Sequence, residues 1–154
     1  MTYASCPTDV VNAPVEIVWS LLTDPAGWGD FYDMRVLRVD PPGPAAVGQR
    51  LSGESGPRVL HLGISFEYTD IDPEHHRLGV NVKLPLGITV REDMDLVALG
   101  ETKCRVNYHC NFELPTGFRG WVTRRMLGRE LDEGPVDSLR RLKAAAERRV
   151  SGGA

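Results

Sequence analysis

One carboxylate in this chain falls on the wrong face of its own strand. From Ile88 to Ala98 the residue types alternate, placing Ile88, Val90, Glu92, Met94 and Leu96 on one face and Thr89, Arg91, Asp93 and Asp95 on the other. Glu92 thus shares a face with residues that gain by burial. A buried carboxylate is costly unless it is paired or protonated. That makes Glu92 a candidate for acid–base work, or for holding the polar group of a ligand. The competing reading is structural: a bulge that turns Glu92 outward, or a salt bridge to an arginine.

Tyr68 and Tyr108 lie on the apolar faces of the neighbouring strand segments. Their hydroxyls can meet a ligand oxygen, or simply reach backbone or water as core tyrosines do. Glu92, Tyr108 and Tyr68 are therefore the candidate catalytic residues. Phe66, Met94 and Cys110 share the same inward faces and are candidate ligand contacts. Cys110 reads as a small buried hydrophobe rather than a nucleophile, because no histidine shares its face. Motifs for phosphate loops, serine hydrolases, zinc peptidases and paired-cysteine redox sites are absent, and no cofactor is expected. His75-His76 follows Pro73-Glu74 at a turn and reads as a surface pair rather than a metal site.

The elements that must position these residues are legible from periodicity. Residues 2–11 read as an edge-like first strand, with Pro7 tolerated at an edge or bulge. Asn12 can cap a short helix whose apolar face is Val15, Val18, Trp19 and Leu22, with Pro14 in its first turn. Thr23-Asp24-Pro25 stops it, and a second short helix carries Trp28, Phe31 and Tyr32. Met34 to Asp40 and Gly48 to Ser55 read as strands, the latter weakened by Gly53. Four stronger strands follow, Val59 to Thr69, His76 to Leu84, Ile88 to Ala98 and Thr102 to Leu114, each with one apolar and one polar face. Such a run makes an antiparallel sheet wetted on one side, whose dry face needs a cover. From about Thr116 the period turns helical through Phe118, Val122 and Met126, then Val136, Leu139, Leu142 and Ala146. Gly134-Pro135 is expected to interrupt or kink it. The class is α+β, with a single domain expected over residues 1–150 and a frayed tail over 151–154.

The 154 residues are 42% hydrophobic, enough for one domain with a real core, and the net charge of −3 does not ask for nucleic acid or an anionic membrane. Arginines gather toward the C-terminus among acidic residues, as on a solvated helix face. No secretory signal or membrane-spanning run is seen, and the three cysteines, Cys6, Cys104 and Cys110, read as reduced thiols of a cytoplasmic protein. On one strand Cys104 and Cys110 would stand about 20 Å apart, too far to bridge.

Ala13, Pro14, Glu16, Val18, Trp19, Leu22, Asp24 and Trp28 match the pattern A-P-x-E-x-V-W-x-x-L-x-D-x-x-x-W. With the order of elements, this resembles the START/Bet v 1-like superfamily, in particular its polyketide cyclase/dehydrase-like branch. The resemblance covers essentially the whole chain, and residues 134–148 look like the family's closing helix. It implies a helix-grip fold: a curved antiparallel sheet wrapped around a long C-terminal helix, with a cavity between them. It places Trp28, Phe31 and Tyr32 at the cavity mouth and Trp121 and Met126 near its entrance. The function it implies first is binding of a small, largely apolar molecule such as a lipid, polyketide or isoprenoid. The alternatives are an aromatase/cyclase-type enzyme using a cavity carboxylate and tyrosines, and a protein-interaction module. The family's cyclases place arginine and tyrosine in the pocket; no arginine falls on the inner faces of the four strong strands.

Overall fold

A computed structural model describes residues 2–55 and 62–153. Among them eight strands form a single antiparallel sheet: β1 (Thr2–Ser5), β2 (Thr8–Val11), β3 (Arg35–Asp40), β4 (Arg50–Ser55), β5 (Leu62–Asp72), β6 (Arg77–Lys83), β7 (Thr89–Ala98) and β8 (Cys104–Glu113). The order across the sheet is β1-β8-β7-β6-β5-β4-β3, with β2 also paired to β8. The expected first strand is thus two short strands on one edge, split at Cys6-Pro7. The start of the expected fifth strand, residues 59–61, lies outside the described residues.

The faces follow the alternation. On β7, Val90, Glu92, Met94 and Leu96 are buried, and on β8 so are Val106, Tyr108, Cys110 and Phe112. Glu92 stands opposite Val80 on β6 and Cys110 on β8, in register and without a bulge. The outer face carries the charge, as in Arg77–Asp95 and Arg50–Glu67. Register shifts between Val36 and Arg38 and between Tyr68 and Asp70 bend the sheet, as an inserted residue does. At Gly53 a side chain would collide with Met34 Cε, 2.3 Å from where a Cβ would stand. The glycine that weakens β4 is thus what lets the β3 approach pack against it.

Two helices close the dry face. Helix α1 (Val15–Leu22) buries Val15, Val18, Leu21 and Leu22. Pro14, not Asn12, is its N-cap residue, and no side chain caps it. The Asn12 backbone N–H instead donates to Glu147 Oε1 at 3.0 Å, tying the loop to the far helix. A 3₁₀ turn, Pro25–Asp30, follows and buries Trp28. Helix α2 (Gly117–Gly152) is continuous through Pro135, and it runs into the residues expected to fray, Ser151 and Gly152. It docks on the sheet edge partly through Lys143 and Asp9, 3.3 Å apart.

Its first half differs from the expected apolar stripe. Phe118, Trp121 and Met126 are exposed, as is Val136 just past the midpoint, whereas Gly120, Thr123 and Leu131 face inward. Gly120 sets that rotation: a Cβ there would stand 1.8 Å from the Pro115 carbonyl oxygen. Only glycine lets the helix start so close to the preceding turn.

Candidate functional site

Glu92, Tyr32 and Tyr108 meet between the sheet and α2. The alternation of β7 aims Glu92 inward, and the chain leaving the 3₁₀ turn brings Tyr32 over it. The Tyr32 hydroxyl donates to Glu92 Oε1 at 3.0 Å. Glu92 is 2% exposed, and its Oε2 has no hydrogen-bond partner among the described residues. The contrast with Gln49, also buried, is informative. Gln49 Nε2 donates to the Pro41 and Gly43 carbonyls at 2.8 and 3.2 Å, and its Oε1 accepts from the Ala46 N–H at 3.3 Å. Gln49 is a loop clamp with both ends satisfied; Glu92 keeps one oxygen in reserve.

Burial pushes the Glu92 carboxyl up from its ordinary 4.5 to about 7; the Tyr108 and Tyr32 hydroxyls oppose the shift and Asp93 adds to it. Burial likewise raises Tyr32 and Tyr108 well above the usual phenol range, and the Glu92 charge raises both further. Near neutral pH the cluster therefore holds one exchangeable proton on Glu92, between two phenols that stay protonated.

Beside this cluster lies a small apolar cavity lined by Phe31, Tyr32, Met94, Tyr108 and, from α2, Leu139 and Leu142. Its free space is about 10 Å³, room for one water at most. In this conformation the space between sheet and helix is filled by side chains.

Of the residues singled out in the sequence, Phe31, Tyr32, Met94 and Tyr108 line this cavity, and Glu92 stands beside it. Trp28, Phe66 and Tyr68 pack behind it as an aromatic core, with Trp28 5.2 Å from Phe66 and 5.7 Å from Tyr68, ring centre to ring centre. The Tyr68 hydroxyl and the Trp28 indole N–H both donate to the Leu22 carbonyl at 3.1 Å, which marks Tyr68 as a structural tyrosine closing the end of α1. Cys110 is fully buried as a free thiol, and burial raises its pKa, which removes it as a nucleophile. Trp121 and Met126 are 63% and 68% exposed and stand away from the cavity, contrary to the expectation that they mark its entrance.

Val106 and Ser138 also line the cavity and were not singled out. Val106 is on the same face of β8 as Tyr108; Ser138 precedes Leu139 and is one turn from Leu142, which is the available signal. Arg91 points outward, donating to Thr69 Oγ1 at 2.6 Å and Asp93 Oδ1 at 3.0 Å, and no arginine among the described residues lines the cavity. His75 is paired to Asp72 at 2.8 Å on the surface, and no metal-binding cluster occurs among the described residues. No helix among them is long and apolar enough to cross a membrane.

A curved antiparallel sheet gripping one long helix defines the Bet v 1-like, helix-grip class. The family described as polyketide cyclase / dehydrase and lipid transport matches residues 8–147, and the chain belongs to it. Among solved structures it is similar to the Zhui aromatase/cyclase from Streptomyces sp. R1128, with a TM-score of 0.78 at 18% identity over 97% of this chain and 96% of that one. It is also similar to norcoclaurine synthase from Thalictrum flavum, at TM-score 0.70 and 15% identity over 100% and 98% of the two chains. Ara h 8.0201 superposes at 0.71 with 7% identity, over 96% and 99%. Comparison with curated proteins gives no match. At such identities these likenesses establish the fold alone.

Proposed function

We propose that this protein binds a small, largely apolar molecule between the sheet and α2, and that Glu92 takes a hydrogen bond from the ligand's one polar group. The observation that carries the reading is Glu92 Oε2, buried without a partner beside an apolar cavity. A buried acceptor left unmet costs on the order of 1–3 kcal/mol, more when charged, and a ligand hydroxyl or phenol would recover it. Binding then requires α2 or the lining side chains to move, because the resting space is far smaller than a ligand pocket. Pro135 supplies a weak point one turn before Leu139: it has no N–H to donate to Leu131, so the helix lacks a bond where it flanks the cavity.

A second reading follows from the protonation state. A carboxyl held near 7 between two phenols is suited to general acid–base work, as in aldol closure and dehydration of a folded ketone chain. The likeness to an aromatase/cyclase agrees with this reading.

Native mass spectrometry of freshly purified protein, with a denatured control, tests both. A bound mass that vanishes on denaturation is the expected result. No bound mass, together with no affinity for apolar phenols or ketones in titration, would sink the binding reading. With a ligand in hand, Glu92→Gln separates the two: as a carrier it changes affinity only, whereas as an enzyme it abolishes turnover while binding survives.

A further inference from the structure

The first thirteen residues of α2 carry a surface unlike the rest of the chain. Gly117 to Arg129 holds Arg119, Arg124, Arg125 and Arg129 and no acidic residue, within a protein of net charge −3. Arg129 pairs with Glu133 at 3.0 Å, but Arg119, Arg124 and Arg125 have no ion-pair partner among the described residues. Between these arginines stand three strongly exposed large apolar side chains: Phe118 at 79%, Met126 at 68% and Trp121 at 63%. Phe118, Trp121, Val122 and Arg125 follow the i, i+3, i+4, i+7 spacing of one helix face. Phe118 and Trp121 are stacked on each other, 5.9 Å between ring centres, and on no other ring among the described residues.

A second element extends the surface. Leu86, 64% exposed, stands at the tip of the Pro85–Gly87 turn, and a Cβ on Gly87 would lie 3.7 Å from Pro115 at the root of α2. Beneath Trp121 an open groove of about 620 Å³ runs between the turn Pro115–Gly117 and Arg124 and Arg125. Thr116, the N-cap residue, makes no side-chain cap and lines that groove.

We propose that this face docks on an anionic lipid bilayer, with Phe118, Trp121 and Leu86 entering the interfacial layer and Arg119, Arg124 and Arg125 meeting lipid phosphates. The chemistry favours a bilayer over other anionic partners. A nucleic acid would use the arginines and the rings but leave Leu86 and Met126 in water. An amphipathic helix end with aromatic and aliphatic tips among unpaired arginines is complementary to a surface that is apolar inside and anionic at its rim. The face is separate from the Glu92 cavity, and the proposal does not rest on that site's function.

The test is co-sedimentation with phosphatidylcholine vesicles, with and without about a third phosphatidylserine, read together with tryptophan emission. Trp28 is buried and Trp19 is partly buried against the core, so a blue shift on binding reports chiefly on Trp121. Binding to the anionic vesicles only, with a blue shift and loss in high salt, is expected. The triple variant Arg119→Ala, Arg124→Ala, Arg125→Ala should weaken partitioning on the order of a hundredfold, taking about fivefold per arginine. Phe118→Ser with Trp121→Ser should abolish it. Far-UV circular dichroism checks that these exposed changes leave the fold intact. Absence of binding to anionic vesicles, equal binding to neutral ones, or indifference to the arginine variant would overturn the proposal. So would competition by inorganic phosphate with no change in emission, which would reduce the surface to a simple anion site.

Discussion

The Tyr32 hydroxyl and Glu92 Oε1 stand 3.0 Å apart although 60 residues separate them in the chain. This bond joins the segment after the 3₁₀ turn to the centre of β7. Tyr32→Phe removes the donor and keeps the ring. Glu92 Oε1 then loses this donor, so the Glu92 pKa rises further. The expected cost is about 1–3 kcal/mol above pH 7 and less below pH 4.5, where the carboxyl is protonated in both proteins. Urea unfolding at the two pH values measures it, and equal losses at both would show that the bond does not serve the charged form.

Glu92 itself lowers stability when ionised. Between 4.5 and about 7 the folded protein holds a proton that the unfolded chain has released. Stability therefore falls as pH rises through that window and is level above it. At about 1.4 kcal/mol per pH unit the loss is roughly 3 kcal/mol. Glu92→Gln, which mimics the protonated form, should be more stable than the parent by about that much at pH 8 and no more stable at pH 4. If the two stability curves run parallel across this range, the carboxyl does not titrate near neutrality, and the acid–base reading goes with it.

The two inward tyrosines of β5 and β8 have different employment. Tyr68 shares the Leu22 carbonyl with Trp28, so Tyr68→Phe leaves that acceptor still bonded and should cost about 0.5–1.5 kcal/mol with no effect on ligand affinity. Tyr108 lines the cavity and faces Glu92. Tyr108→Phe should alter affinity for a polar-headed ligand, or turnover where there is any. Isothermal titration on both variants, alongside thermal unfolding, checks the split; a Tyr68→Phe protein with impaired binding would reverse the assignment.

These contrasts show what a single sequence carries. Alternation put Glu92, Met94 and Tyr108 on one face because a pleated strand has a period of two and no bulge disturbs β7 or β8. It could not tell Tyr68 from Tyr108, since their fates depend on what lies across the core: the end of α1 for one, Glu92 for the other. Tyr32 was visible as one of a trio of aromatics, but its tie to Glu92 is a long-range contact that local spacing does not encode. The start of α2 misled for a different reason. Phe118, Val122 and Met126 recur every four residues like a core stripe, yet Gly120 seats against the Pro115 carbonyl and turns that stripe to solvent. A close approach made possible by a missing side chain leaves no mark in hydrophobic periodicity.

Gly134 offers a separate handle on how a ligand reaches a cavity that is nearly full. It lies inside α2 just before Pro135, and a Cβ there would meet nothing within 4 Å. Gly134→Ala should therefore stabilise the protein by about 0.5–1 kcal/mol, the helix-propensity difference, without touching the site. If ligands enter by local loosening of α2 near its missing hydrogen bond, the same change should slow association and leave the equilibrium affinity of the closed complex nearly unchanged or slightly better. Stopped-flow binding against thermal unfolding separates the two effects. A more stable variant with an unaltered association rate would place the entry route elsewhere, at the side chains of Phe31 and Tyr32 rather than in the helix.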